Sequence, residues 1–166
     1  MRMPMRRRDV LKLSLLCSVS GASLLLAGCE KESVDKPRSI KFGRDVCEHC
    51  TMLVSDPAYA ALMWNPQLKR YHVFDDIGCA VVFAAETNLP DSPDARLWVA
   101  NAARTEEWLD ARVASFRTDG RSPMGYNYAA EKEQGAERIR YAAMREQAVE
   151  RGLCRPPAAE RKQRGS

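Results

Sequence analysis

The sequence predicts an α+β fold: one small domain of two ββα-type halves, set behind a cleaved N-terminal signal and a flexible tether. Three observations predict it. The stretches 59–74 and 95–118 each hold two runs of strand composition. A segment of helical character follows each pair. Clusters of Asn, Asp, Gly and Pro punctuate the chain where these parts must turn.

The elements follow in order. "YAALMW" (59–64) and "KRYHVF" (69–74) read as two short strands, divided by the turn residues Asn65, Pro66 and Gln67. In "DDIGCAVVFAAET" (75–87), Ile77, Val81, Val82 and Ala85 recur at helical spacing, and Asp75 or Asp76 supplies an N-cap. Beyond a breaker at 88–93, "ARLWVANA" (95–102) and "ARVASFRT" (111–118) form a second strand pair. A loop over 119–125 then leads into 127–151, rich in Ala, Glu, Arg and Gln, which predicts one long helix. The order fits an internal duplication, although the halves share no evident sequence repeat.

The N-terminus is of a different kind. Arg2, Arg6, Arg7, Arg8 and Lys12 flank an apolar run over 13–26. That run of 14 residues is shorter than the roughly 20 a transmembrane helix needs, and its basic flank fits a secretory signal. Leu26-Ala27-Gly28-Cys29 has the form of a bacterial lipobox, which predicts cleavage before Cys29 and lipidation of its thiol. Residues 7–12 also resemble a twin-arginine export signal, and serve equally well as plain n-region charge. The expected organisation is a signal over 1–28, a lipidated tether over 29–44, a folded domain over 45–152 and a disordered tail over 153–166. The protein is thus expected to face the periplasm, anchored by lipid on Cys29 to an inner or an outer membrane.

Charge excludes one class of partner. Residues 1–28 carry five basic residues and one acidic, which accounts for the whole net charge of +4. The mature chain is formally neutral and gives no reason to expect nucleic acid. No Ser/His/Asp set, phosphate loop or glycine fingerprint is present, so no catalytic residue is assigned and the chain is not read as an enzyme.

What remains is sulfur. "VCEHCTM" (46–52) places Cys47, His49, Cys50 and Met52 within one short stretch, with Cys79 and Cys154 elsewhere in the mature chain. Four cysteines in an oxidising compartment ordinarily suggest disulfides. Structural zinc would draw on a second close pair, but Cys79 and Cys154 stand 75 positions apart. A c-type haem needs histidine directly after the second cysteine, where Thr51 stands. A thioredoxin-like pair would open a helix, and the following Thr51-Met52-Leu53-Val54-Ser55-Asp56-Pro57 is a poor helix start.

Copper(I) is the ion that thiolates and thioethers select. In an extended segment Cys50 and Met52 leave one face and Cys47 and His49 the other, unless a local turn unites them. A low-coordinate site needs only two or three soft ligands, so Cys50 and Met52 plus one distant donor suffice. Met124 is a candidate, pinned in a loop by Pro123 and Gly125, whereas Met63 and Met144 read as packing. His72 reads as a strand histidine beside Phe74, and Trp64, Trp98 and Trp108 as packing. Cys79 and Cys154 form either a disulfide or two unpaired thiols.

Cys-x-x-Cys-x-Met after a lipobox cysteine, then "FDDIGCAVVF" (74–83), then Ser122-Pro123-Met124-Gly125 before a helix, resembles the NosL family, accessory lipoproteins of nitrous oxide reductase. The likeness spans most of 45–151. It implies a periplasmic, lipid-anchored copper(I) chaperone that helps metallate nitrous oxide reductase, built on two ββα-type halves. It implies metal ligands from Cys50, Met52 and Met124, with Cys47 and His49 as further candidates. Family members commonly carry Gly where Thr51 stands, and Cys79 is an added thiol. Two alternatives remain from the residues: a thiol–disulfide oxidoreductase using Cys47 and Cys50, and a structural lipoprotein in which those two close a disulfide.

Overall fold

The computed structural model describes residues 36–87, 89 and 94–153, all within one compact unit. The signal, the lipobox with Cys29, the breaker at 88–93 apart from Leu89, and the tail with Cys154 lie outside the described residues. Among the described residues no helix is long and apolar enough to cross a membrane.

The first half is built as its strand composition and turn residues predict. Strands β1 (Ala61–Asn65) and β2 (Arg70–Phe74) pair antiparallel, with Met63 opposite His72 and Trp64 opposite Tyr71. The Trp64 and Tyr71 rings lie 4.9 Å apart, a cross-strand aromatic contact. The Asn65 Oδ1 accepts from the N–H groups of Gln67 and Leu68 and closes the turn between them. Helix α1 (Ile77–Glu86) follows at once. Asp76 is its N-cap, in extended conformation, and its side chain accepts from the Gly78 N–H. Residues 77–83 are all buried, because α1 is covered on one side by β1 and β2 and on another by the C-terminal helix.

The second half departs from its expectation. Strands β3 (Arg96–Asn101) and β4 (Arg104–Asp110) extend the first sheet to the order β2-β1-β3-β4, all antiparallel. β5 (Ser115–Arg117), β6 (Ala129–Glu131) and β7 (Ile139–Arg140) form a second sheet in the order β6-β5-β7. Helix α2 covers only Tyr141–Arg151 and ends on Gly152 in the left-handed conformation.

The long helix expected over 127–151 is therefore corrected: its first half is two short strands and a turn. Helical propensity there is outweighed by pairing, since Ala129, Ala130 and Glu131 bond to β5 on one edge and Ile139–Arg140 on the other. Glu131 is buried and held by Arg117 and Arg138, an anchor that a solvent-facing helix would not have provided. The expected strand over 111–118 shrinks to β5, because 111–113 form a turn. The α+β class holds, with two helices and two antiparallel sheets.

Candidate metal centre

Cys47 and Cys50 ride on a tight hairpin. Val46 and Leu53 form an isolated antiparallel bridge. The Cys47 N–H donates to the Met52 carbonyl at 2.8 Å, and the Thr51 N–H donates to the Cys47 carbonyl at 3.0 Å. Thr51 turns the chain with φ of 66°, a left-handed conformation that a β-branched residue adopts only at a cost. This turn cancels the strand alternation that would have sent the two thiols to opposite faces.

Both residues between the cysteines serve as anchors. The Glu48 N–H donates to the Val73 carbonyl of β2 at 2.9 Å, and its carboxylate lies 3.1 Å from Arg70 and 3.5 Å from the His72 Nδ1. The His49 ring is buried, with Nδ1 3.7 Å from the Glu86 carboxylate and Nε2 3.4 Å from the Leu153 carbonyl. That same carbonyl accepts the Tyr126 hydroxyl at 2.5 Å. His72 is a buried strand residue, its ring near Phe74 and Phe83.

Opposite the hairpin stands the first turn of α1, which carries Cys79. The sulfurs of Cys47, Cys50 and Cys79 all lie within 4.8 Å of one another. None of the three is in a disulfide; Cys47 and Cys79 are buried and Cys50 is partly exposed. The cluster divides its protons unequally. The Cys47 thiol is pushed down to about 2 by the Cys50 thiol first and the Cys79 thiol next, against the opposing effect of burial. Cys50 is pushed up to about 12, chiefly by its interaction with Cys47. Cys79 is also pushed up, by Cys47, then Cys50, then burial. The direction of these shifts favours the thiolate at Cys47 and the thiol at its two neighbours.

The remaining sulfur candidates occupy different surroundings. Met52 is 57% exposed, on the hairpin. Met124 is partly buried against the hydrophobic core, in the loop over 122–127. That loop is fixed at both ends. The Ser122 hydroxyl donates to the Asp76 Oδ2 and accepts from the Asn127 N–H, while the Asn127 Oδ1 accepts from the Ser122 N–H. The Tyr126 ring sits so close to Gly78 that a Cβ there would lie 2.1 Å from it. Arg151 donates to the carbonyls of Gly125 and Tyr126 at 2.8 and 2.9 Å. Burial lifts the Asp76 carboxyl to about 6.

The structure thus unites Cys47 and Cys50 with a third thiol that sequence reasoning gave no metal role. The available signal was position: Cys79 lies three residues after the N-cap, on the first helical turn. What that turn faces is set by tertiary packing, which no local pattern records.

No protein-family model matches the chain, and no curated protein matches it. Among solved structures the fold is similar to that of the copper chaperone NosL from Shewanella denitrificans. The TM-score is 0.52 over 73% of this chain and 90% of that one, at 13% identity. The resemblance expected from the motifs is borne out at the level of fold.

Proposed function

We propose that this protein is a copper(I) carrier, which takes the ion as cargo on Cys47, Cys50 and Cys79 and hands it to a receiving protein by ligand exchange. One observation carries the reading: three thiol sulfurs lie within 4.8 Å of one another, and no His, Asp or Glu among the described residues joins them. Metal–thiolate bonds are about 2.3 Å long, so a triangle of this size needs only small side-chain adjustments to share one ion. Closed zinc sites take four ligands, whereas soft sulfur in a smaller set favours copper(I). The fold shared with a copper chaperone supports the same cargo.

Transfer follows from exposure. Cys47 and Cys79 are buried and hold the ion; Cys50 is partly exposed and is the thiolate a partner's ligand replaces first. Met52 and Met124 are thioether donors for that passage, and Met52, the more exposed, is the one a partner reaches first. Thioethers bind without losing a proton, so they can take over a sulfur position whatever its protonation. The receiving protein is nitrous oxide reductase or its assembly machinery. The carrier works from the periplasmic side, tethered by lipid on Cys29.

The oxidoreductase reading is disfavoured by burial. An attacking thiolate must be reachable, and of the pair only Cys50 is partly exposed while Cys47 is fully buried.

Anaerobic titration with copper(I) against a chromophoric chelator, with X-ray absorption on the loaded protein, tests the proposal. One ion per chain bound by three sulfurs is expected. Cys79→Ser should weaken binding by about a hundredfold or more, beyond the loss that removing an outer partner of a ligand causes. Equal affinity in the parent and in the serine variants of all three cysteines would refute the carrier. Copper passing from the loaded carrier to apo nitrous oxide reductase, faster than from free chelate, tests the client.

A further inference from the structure

The three thiols come from two segments of chain that no regular pairing joins directly, and the Met124 loop is a third. All three segments converge on two adjacent carboxylates at the turn between β2 and α1. Asp75 and Asp76 are both buried. Asp76 has extended backbone, in which successive side chains leave opposite faces, so neighbouring carboxylates can serve different partners. The Asp75 Oδ1 accepts from the Ser55 N–H at 2.7 Å and from the Ser55 hydroxyl at 3.2 Å. Ser55 follows Val54, whose N–H and carbonyl close the base of the cysteine hairpin on Asp45 and Gly43. Asp76 binds in the other direction: its Oδ1 takes the Gly78 N–H of the helix that bears Cys79, and its Oδ2 takes the Ser122 hydroxyl of the Met124 loop.

We propose that Asp75 and Asp76 are positioning residues of the thiol site: Asp75 holds the Cys47–Cys50 hairpin against the helix turn bearing Cys79, and Asp76 holds the Met124 loop to that same turn. The inference rests on the copper(I) reading for its function. Each carboxylate acts through the backbone N–H and hydroxyl groups it fixes. Without the Asp75 bonds, the hairpin keeps its internal bonds and its Glu48 and His49 anchors, but its base loses the tie to the turn that leads into Cys79. The site then offers two sulfurs in place of three. Without the Ser122 bond to Asp76, the thiols stay together and the Met124 loop is freed.

The Asp75 arm is tested by copper(I) competition and sulfur counting on Asp75→Ala and Asp75→Asn. The alanine variant should bind about 10- to 100-fold more weakly, the range for loss of a group that orients a ligand, with two sulfurs on the ion. The asparagine variant retains an oxygen for Ser55 and should keep three sulfurs and near-parental affinity. Three sulfurs and unchanged affinity in Asp75→Ala would overturn this arm. Should that variant fail to fold, Ser55→Pro replaces it, since it removes both the N–H and the hydroxyl that Asp75 accepts: a loss of about tenfold supports the arm, and no loss overturns it.

A metal-free readout separates this inference from the carrier reading. In the apo protein, mass spectrometry should find Cys47 and Cys79 protected from iodoacetamide in the parent and open in Asp75→Ala. Parent protein that binds no copper but shows this change retains the positioning role and loses the carrier. The Asp76 arm is read by limited trypsin digestion of Ser122→Ala: faster cutting after Arg121, with the sulfur count still three, is expected. An unchanged cutting rate would overturn it.

Discussion

The cysteine hairpin and the loop over 122–127 are both irregular segments that carry sulfur, and they are secured in opposite ways. The loop places its positive φ values at Gly125 and Asn127, 76° and 66°, residues that accept this conformation at little cost. It is then fixed by a buried carboxylate, an aromatic ring wedged on a glycine, and a guanidinium on two carbonyls. The hairpin places φ of 66° on Thr51, leaves Val46, Met52 and Leu53 at least half-exposed, and anchors itself through Glu48 and His49. One segment is rigid support; the other holds backbone strain beside the exposed sulfurs. Such strain gathers where a ligand is gripped or released.

The comparison can be broken or sharpened in four ways, of decreasing size. Gly78→Ala attacks the support. Its new methyl would overlap the Tyr126 ring, and overpacking of this degree costs about 3 kcal/mol. Chemical denaturation should show that loss, and an unchanged midpoint would mean the ring is loosely seated.

Asp76→Asn probes the same support through pH. The folded protein holds the Asp76 carboxyl near 6 against an ordinary 3.8, so it binds this proton more tightly than the unfolded chain does. The stabilisation is complete below about pH 4 and is lost as pH rises through 6. A neutral amide escapes that loss, so Asp76→Asn should gain about 2 kcal/mol at pH 7.5 and little at pH 4. Thermal melts at both pH values check it, and equal shifts would contradict a charge-based origin.

Thr51→Gly relaxes the hairpin. Relief of the left-handed strain, less the greater freedom glycine has when unfolded, should stabilise by about 1 kcal/mol. Loss of stability in the melt would show that the Thr51 hydroxyl, which donates to the Cys50 carbonyl at 2.6 Å, matters more than the strain. The smallest effect is a proton count. With the Cys47 thiol pushed down and the Cys50 and Cys79 thiols pushed up, copper(I) loading near neutral pH should release about two protons per ion, and binding should tighten as pH rises. Release of three into weak buffer would place the resting thiolate elsewhere.

Much of the first half was legible because local pattern and tertiary role agree there. Strand composition on either side of a turn signal in 59–74 marked β1 and β2, and an aspartate ahead of an apolar helical stripe marked α1. β4 was missed because Arg104, Glu106 and Glu107 give it the look of a loop. It lies at an edge of its sheet, where a strand can be stable with one face in water. The segment 127–140 was misread because alanine and glutamate favour helix wherever pairing partners are not considered. At the site, Cys47 and Cys50 stood out through proximity in sequence. Cys79 did not, because its meeting with them depends on the docking of the hairpin onto α1.

Leu153 has a practical consequence. Its carbonyl is the shared acceptor of the Tyr126 hydroxyl and the His49 ring, just past the last helix, and at the other end the Lys36 carbonyl accepts the Tyr71 hydroxyl at 2.9 Å. Anyone trimming the gene to the regular elements would cut both clasps away. The shortest fragment that keeps them runs from 36 to 153.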